Sequence, residues 1–346
     1  MLMLLAAMWL PILVSASTTS LDVPVESSPV LEDRFPQHSV AFGPEVESLP
    51  DLVYSAPPGF RPLHLDLYRP RKAGSVAGGL PLIVYVHGGG WQGGHTRHAG
   101  AFANWPGVLA LLASKGYVVA SIEYRLSGEA RFPAAIQDVK TSIRWLRSKS
   151  AQLGIDPTRA IIWGGSAGGQ LAALAATSCK VQSLAPVFLK EGKPDPQSPL
   201  ASQSDCVQGL VAWYGVFDFV NSPLGDPAKQ SADPAVEKYL GCAPADCRST
   251  AELASPVTHL DKGDPPVLLI HGDLDKVVPA AQSQRFRDAL LAKNIPTKFI
   301  QIEGVGHSFI GADMESTRRA SLRALEATFE FIDATMSKRE SNSSSR

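Results

Sequence analysis

Residues 160–176, AIIWGGSAGGQLAALAA, carry the most specific structural pattern of this chain. It opens with four apolar residues, as expected for a strand that is covered on both faces of a sheet. A glycine pair then stands on each side of Ser166-Ala167, and the Ala- and Leu-rich run at residues 171–176 favours a helix. Because small residues let a strand and a helix approach closely, the serine hydroxyl is placed at the apex of a sharp turn. Ser166 is therefore a candidate nucleophile.

Apolar strands and amphipathic helices alternate along much of the chain. Besides the strand at 160–163, we expect strands at residues 63–68, 80–86, 116–122, 207–213, 266–270 and 297–302. We expect helices at residues 133–153, 280–292 and 314–336. This alternation predicts an α/β fold with a doubly wound, mostly parallel sheet of about eight strands and helices on both faces.

The segments outside this pattern define the domain organisation. We expect an N-terminal arm at residues 17–50, a catalytic domain at 51–336 and a flexible polar tail at 337–346. Two segments rich in Pro, Ser and Asp, 178–205 and 218–262, interrupt the domain. Because both follow strands that lead toward the predicted site, we expect them to form a cap or rim around it.

The first sixteen residues have the pattern of a signal peptide. The apolar run from Met1 to Val14 is too short to cross a bilayer as a helix, and Val14-Ser15-Ala16 forms a small-x-small pattern that suits signal peptidase. The segment lacks Lys and Arg, so a buried or interfacial helix is the alternative. Cleavage after Ala16 predicts a secreted protein, extracellular or periplasmic.

The overall composition argues against several functional classes. With 45% hydrophobic and 19% charged residues, it is that of an ordinary globular protein. The 32 basic and 33 acidic residues give a net charge of -1, with no basic stretch. We therefore expect no nucleic-acid partner. Because no later apolar run is long enough, we also expect no membrane span.

The four cysteines fit an oxidising compartment. Cys179, Cys206, Cys242 and Cys247 allow three pairings. We favour Cys242–Cys247, which closes a short loop, together with Cys179–Cys206, which staples the first irregular segment. Free buried thiols are the alternative. No Cys-x-x-Cys is present and no His pair beside these cysteines has zinc spacing, so we expect no metal site.

A glycine loop, HGGGW at residues 87–91, directly follows the strand at 80–86. Backbone N–H groups in such a loop can turn toward a ligand. An acyl-transfer site needs donors of this kind for its developing oxyanion, each commonly worth about 3–4 kcal/mol. A phosphate loop would need Gly-Lys-Ser/Thr or a Gly-x-Gly-x-x-Gly that opens a helix, and neither is present. We predict an oxyanion hole formed by the N–H groups of Gly89, Gly90 and Ala167.

An acid and a base follow Ser166 in the chain, each just after a strand. The loops are HGDLDKVVP at residues 271–279 and EGVGHSF at residues 303–309. A serine hydroxyl needs a histidine to take its proton, and a buried carboxylate then sets the histidine tautomer. We predict His307 as the base and Asp275 as the acid. Asp273 is the competing acid, and otherwise is expected to brace the turn through its own backbone.

Other histidines and aromatic residues lie near these motifs. We expect structural or surface roles for His64, His87, His95, His98, His259 and His271. A structural role is also the alternative for His307. Trp91 and Tyr214 are our candidate substrate-binding residues, and Trp105 and Trp213 are weaker candidates of the same kind. The alternative for all four is packing in the core.

Together these motifs resemble the α/β-hydrolase superfamily, whose triad runs in the order serine, acid, histidine. More closely, the chain resembles hormone-sensitive-lipase-like esterases with a His-Gly-Gly-Gly loop, and within them the acetyl-xylan/feruloyl esterase (BD-FAE) type. Further matching segments are LDLYRP at 65–70 and FPAAIQDVK at 132–140. The likeness covers about residues 50–335. It implies carboxylic ester hydrolysis without a cofactor.

The sequence therefore predicts a secreted serine carboxylesterase that works through an acyl-enzyme. We expect small-molecule or polysaccharide esters as substrates, with short acyl or feruloyl/acetyl esters of plant polysaccharide favoured by the resemblance. A small-substrate serine amidase, peptidase or aryl formamidase is the alternative on the same fold. A non-catalytic binding protein is disfavoured because no part of the triad is replaced. The oligomeric state is left open.

Overall fold

A twisted sheet of nine strands runs through the part of the chain that the computed structural model describes, residues 39–190, 193–221, 225–226 and 231–343. Its strands are β1 (Val40–Phe42), β2 (Val46–Ser55), β3 (Leu63–Pro70), β4 (Leu80–Val86), β5 (Val118–Ile122), β6 (Ile155–Gly165), β7 (Gly209–Trp213), β8 (Val267–Gly272) and β9 (Thr297–Ile302). Two-residue strand pairs outside this sheet link Leu189–Lys190 with Lys193–Pro194 and Gly225–Asp226 with Ser231–Ala232.

The strand order confirms the predicted mostly parallel sheet. It runs β1-β2-β3-β5-β4-β6-β7-β8-β9. The first three strands pair antiparallel, and the strands from β5 through β4 to β9 are parallel. The central strands are buried on both faces, which explains why they read as continuous apolar runs.

Eight α-helices flank the sheet in the described residues. They are α1 (Trp105–Ser114), α2 (Ala134–Ser148), α3 (Ser150–Leu153), α4 (Ala167–Thr177), α5 (Pro234–Leu240), α6 (Arg248–Ala254), α7 (Ala281–Ala292) and α8 (Met314–Ser343). Buried side chains of α2, α4 and α7 pack on one face of the sheet, and those of α1 and α8 on the other. The helices therefore cover both faces, as the sequence predicts.

The domain boundaries differ from those expected. The boundary at residue 51 falls inside β2, so the end of the expected arm belongs to the sheet. β2, which lies between β1 and β3, escaped prediction because it carries Pro50 and has mixed polarity. Its pairing with β3 is interrupted by register shifts. The expected tail begins inside α8, which runs to Ser343. The expected signal peptide and most of the arm lie outside the described residues.

The helix expected at 133–153 is two helices. The backbone of Lys149 leaves helical geometry, with φ -102° and ψ 12°, and α3 starts anew after it. Gly154 ends the second helix in the left-handed conformation, as its position predicts. β6 begins at the next residue, Ile155, and leads to Ser166.

Two disulfides join the favoured cysteine pairs, Cys179–Cys206 and Cys242–Cys247. Near the first one, the Arg147 guanidinium on α2 donates hydrogen bonds to the carbonyls of Ser204 and Cys206. The 178–205 segment is thus held against α2.

Among the described helices, none combines the length and the apolar character that crossing a bilayer requires.

The parallel strands bring four loops to one edge of the sheet. β4 ends at Val86, β6 at Gly165, β8 at Gly272 and β9 at Ile302. Because these strands run in the same direction, their carboxyl ends lie at the same edge. Ligand sites of open α/β sheets lie at this edge, so the fold gathers the predicted site residues there.

Candidate active site

Ser166 lies on the turn between β6 and α4. Its backbone has φ 57° and ψ -125°, a strained conformation for a residue with a side chain. Glycines make the turn possible. A Cβ on Gly164 would lie 2.2 Å from the Gly168 carbonyl oxygen, and one on Gly168 would lie 2.1 Å from the Val86 carbonyl oxygen. The hydroxyl is consequently presented at the sheet edge, away from the α4 backbone.

The structure brings Ser166, His307 and Asp275 into one hydrogen-bonded chain. His307 Nε2 lies 2.9 Å from Ser166 Oγ, and His307 Nδ1 lies 2.7 Å from Asp275 Oδ2. These residues come from loops separated by 141 and 32 positions. This arrangement allows the Ser166 hydroxyl to pass its proton to the His307 imidazole while the Asp275 carboxylate fixes the orientation of the ring.

Asp275 is buried and surrounded by donors. Its Oδ1 accepts hydrogen bonds of 2.9 Å from the N–H groups of Val277 and Val278. Burial alone would raise the pKa of this carboxyl, but hydrogen bonds from His271 and His307 outweigh it and hold the pKa well below its usual range. Asp275 is therefore an anion beside the His307 ring.

Asp273 is not part of this chain. Its Oδ1 accepts a hydrogen bond of 2.7 Å from the N–H of Gly304, on the loop that carries His307. The expectation that Asp273 braces its own backbone was wrong. The side chain instead ties the acid loop to the base loop, because β8 and β9 are neighbours and their loops emerge side by side.

The predicted oxyanion loop passes directly above Ser166. A Cβ on Gly88 would lie 3.3 Å from the Ser166 Cβ. Gly89 and Gly90 have φ of 111° and 60°, values that favour glycine. In the described residues, the N–H groups of Gly89 and Gly90, and of Ala167 at the first turn of α4, have no hydrogen-bond acceptor. These three donors without an acceptor belong to the two segments that adjoin Ser166, the glycine loop and the start of α4.

His87 contacts the glycine loop and has the structural role that we expect from the sequence. It is buried, its ring stacks on Tyr124 at 4.4 Å between centroids, and its Nδ1 lies 2.7 Å from the Gly88 carbonyl oxygen. The Tyr124 hydroxyl donates to the His87 carbonyl oxygen at 3.0 Å. Burial lowers the pKa of His87 to about 4.

Because the unfolded chain protonates His87 near its usual pKa of 6.5, it binds more protons than the folded protein between pH 6.5 and 4. We expect the free energy of unfolding to fall by about 3 kcal/mol as the pH drops through this window. Urea unfolding at several pH values measures it. The same series on His87→Asn should show a shallower slope, and an equal slope would contradict the assignment to His87.

A cavity of about 510 Å³ opens beside Ser166. Tyr214 lines it, and its ring lies 4.8 Å from the His307 ring in an edge-to-face arrangement. Tyr85, Val277 and Ile310 add apolar surface, and the glycine loop forms much of the remaining wall. Tyr214 is therefore placed as the prediction of a substrate contact requires.

Trp91 is not a wall of this cavity, so that prediction was wrong. The side chain is buried, stacks on Tyr239 at 4.6 Å, and donates its indole N–H to Gln170 Oε1 at 3.0 Å. Its backbone is in the left-handed region, with φ 57°. Trp105 and Trp213 are likewise fully buried and pack edge-to-face with Trp163.

The two irregular segments, 178–205 and 218–262, differ in how close they lie to the cavity. Ala235 on α5 belongs to the second segment, and a Cβ on Gly90 would lie 3.6 Å from the Ala235 Cβ. Lys238 of the same segment donates to Gln92 Oε1 at 3.2 Å. None of the described residues of 178–205 lines the cavity. Described residues of the second segment therefore approach the glycine loop, whereas Arg144 and Arg147 of α2 hold the end of the first segment.

One neighbour of the triad escaped the sequence analysis. His271 was assigned a structural or surface role, yet it is buried with its Nε2 3.2 Å from Asp275 Oδ2. Its position at the end of a buried strand, four residues before the acid, was the available signal.

In the described residues, no group of three or more His, Cys, Asp or Glu side chains is arranged to hold a metal ion.

Comparison with known proteins gives relatives that are named as esterases or ester hydrolases. The BD-FAE family model matches residues 65–290. Esterase LipQ of Mycobacterium tuberculosis is 31% identical over 284 residues, which are 82% of this chain and 61% of LipQ. The probable carboxylic ester hydrolase LipM of the same organism is 30% identical, over 76% of this chain and 56% of LipM. The chain thus spans about three fifths of the length of these curated relatives.

Solved structures share the fold. A truncated form of a carbohydrate esterase from gut microbiota superposes with a TM-score of 0.67 and is 25% identical, covering 86% of this chain and 99% of that one. The esterase Est2 of Thermogutta terrifontis has a TM-score of 0.61 and is 25% identical, covering 82% of this chain and 90% of that one. Both are described as esterases.

Proposed function

Because this chain belongs to the BD-FAE family of α/β-hydrolases, we propose that it is a serine carboxylesterase that acts through an acyl-enzyme. The observation that carries the proposal is the hydrogen-bonded chain from Ser166 through His307 to Asp275. The N–H groups of Gly89, Gly90 and Ala167, which have no acceptor in the described residues, support it. The esterase relatives support the same chemistry.

In the first half-reaction, Ser166 Oγ attacks the ester carbonyl carbon and its proton passes to His307 Nε2. The carbonyl oxygen becomes an oxyanion, which accepts hydrogen bonds from the N–H groups of Gly89, Gly90 and Ala167. The tetrahedral intermediate then collapses. The bond to the alcohol oxygen breaks, and the proton on His307 transfers to the leaving alcohol, which leaves an acylated Ser166.

In the second half-reaction, a water molecule replaces the alcohol. His307 Nε2 takes a proton from the water, the resulting hydroxide attacks the acyl carbon, and the same N–H groups stabilise the second oxyanion. Collapse releases the carboxylic acid and returns the proton to Ser166 Oγ. Asp275 keeps its negative charge throughout and stabilises the imidazolium in both steps.

The cavity supports a neutral ester as substrate. Its described walls carry no Lys, Arg, Asp or Glu side chain, and its apolar surface comes from Tyr85, Tyr214, Val277 and Ile310. Short acyl esters and aromatic acyl groups such as feruloyl suit these walls. We infer that acetyl or feruloyl esters of plant polysaccharide are the natural class, an inference that the carbohydrate esterase neighbour supports.

We infer secretion as the second part of the proposal. Two disulfides within the described residues suit an oxidising compartment. The apolar N-terminal sequence followed by Ser15-Ala16 suits export. N-terminal sequencing of protein recovered from the culture medium or periplasm of the host tests it, with Ser17 as the expected first residue.

The ester panel that tests the function comprises p-nitrophenyl acetate, butyrate and decanoate, methyl ferulate and acetylated xylan. We expect turnover of the short or feruloyl esters. A parallel assay on acetyl p-nitroanilide measures amidase activity. Turnover of the anilide alone would replace the esterase proposal with the amidase alternative, and no turnover of either substrate class would remove both.

Charge on the acyl group provides a sharper comparison. We expect kcat/KM for mono-p-nitrophenyl succinate to be about 10-fold or more below that for p-nitrophenyl pentanoate, because its carboxylate enters a cavity without a cationic partner. The two acyl chains are of similar length and differ chiefly in the terminal carboxylate. Equal values would contradict acyl binding in this cavity.

A further inference from the structure

His271 stands at the end of β8 with its side chain fully buried. Both ring nitrogens are engaged. Nδ1 lies 2.7 Å from Ser283 Oγ on α7, and Nε2 lies 2.8 Å from the Val278 carbonyl oxygen and 3.2 Å from Asp275 Oδ2. The mechanism proposed above does not use this residue, although it reaches the triad acid.

The partners of the ring determine its tautomer. A carbonyl oxygen only accepts hydrogen bonds, so the Nε2 that faces Val278 must carry a hydrogen. That hydrogen is donated to the Val278 carbonyl oxygen, and Asp275 Oδ2 lies 3.2 Å from the same nitrogen. With the proton on Nε2, Nδ1 accepts a hydrogen bond from the Ser283 hydroxyl. Ser283 therefore fixes the ring in the orientation that places its Nε2–H beside the acid.

These contacts hold both oxygens of the Asp275 carboxylate. Oδ1 accepts from the N–H groups of Val277 and Val278, and Oδ2 accepts from His307 and lies next to His271. Val278 takes part twice, because its N–H donates to Asp275 and its carbonyl accepts from His271. The carboxylate consequently cannot rotate without breaking a closed set of hydrogen bonds.

We propose that His271 is a positioning residue for the triad: its Nε2–H holds Asp275 Oδ2 toward His307 and so keeps the imidazole aligned with Ser166. The inference rests on the proposed esterase function for its kinetic readout. It predicts an effect on the chemical step rather than on substrate binding, because His271 does not line the cavity.

Two substitutions of similar size separate positioning from packing. His271→Gln can keep an N–H near the Nε2 position, whereas His271→Met fills the same space without a donor. We expect the Met variant to lose about 10- to 100-fold in kcat with KM changed less than about twofold, and the Gln variant to regain most of kcat. Thermal unfolding of both variants measures the packing effect separately.

Equal losses of kcat in the two variants, or a Met variant with wild-type kcat, would overturn the inference. A second readout does not depend on esterase activity. The His307 Nδ1–H bonded to Asp275 should give a far-downfield proton resonance in the wild type and in His271→Gln, and a weakened or exchange-broadened one in His271→Met. If the wild type hydrolyses no ester, the proposed function fails, and this resonance still decides the role of His271.

Discussion

Replacement of Ser166 by alanine is expected to lower kcat for p-nitrophenyl acetate by about 10⁴-fold or more, the largest effect of any single change in this chain. The substitution removes the attacking oxygen and leaves His307 without its proton donor. The free N–H groups and the cavity remain, so KM should change little. Initial rates over a range of substrate concentrations measure both constants.

Ser75→Ala is the matched control, because the Ser75 hydroxyl is exposed and bonds only to the Lys72 carbonyl oxygen in the described structure. It should keep wild-type kcat. A Ser166→Ala variant that retains more than a small fraction of activity would assign the nucleophile elsewhere. Alanine is also small enough for the strained turn, so circular dichroism spectra should match those of the wild type.

The change Asp275→Asn is expected to lower kcat by about 10³- to 10⁴-fold. The amide keeps the size of the side chain and can still accept from Val277 and Val278, but it brings no negative charge to the imidazolium. Its NH₂ would also face His307 Nδ1 and force the hydrogen of that ring onto Nε2. In that tautomer His307 cannot accept the proton of Ser166.

Asp273→Asn provides the control for this experiment, because it alters a carboxylate of the same loop that bonds Gly304 instead of His307. We expect a loss of less than about 10-fold in kcat, since the amide oxygen can still accept from the Gly304 N–H. If Asp273→Asn instead caused the larger loss, the assignment of the acid would pass to Asp273.

Much of the candidate active site could be predicted from local sequence patterns. The motif around Ser166 could be read from sequence because a strand, a tight turn and a helix each leave a residue-level signature. Glycine at positions where a Cβ would overlap a backbone atom is one such signature. His307 and Asp275 were also accessible, since each follows a buried strand in a short loop.

The errors share a physical cause. Trp91 follows the glycine loop in sequence, but its side-chain direction depends on backbone torsions and on Tyr239, which is 148 positions away. Asp273 bonds Gly304 because two strands happen to be neighbours. The strands β1 and β2 were missed because β1, at the sheet edge, is largely exposed and β2 mixes buried with partly exposed residues, so neither has the continuous apolar pattern of a strand that is buried on both faces.

The fold class, the turn at Ser166, the glycine loop and the chain order of the candidate catalytic residues could all be predicted from sequence, because those features arise from short-range sterics and hydrophobic periodicity. Which groups meet across strands became visible in the folded protein alone. The tertiary structure joins Ser166, His307 and Asp275 by hydrogen bonds, buries Trp91 away from the cavity and places His271 next to Asp275. Such contacts depend on strand neighbours and side-chain directions, which no local pattern encodes.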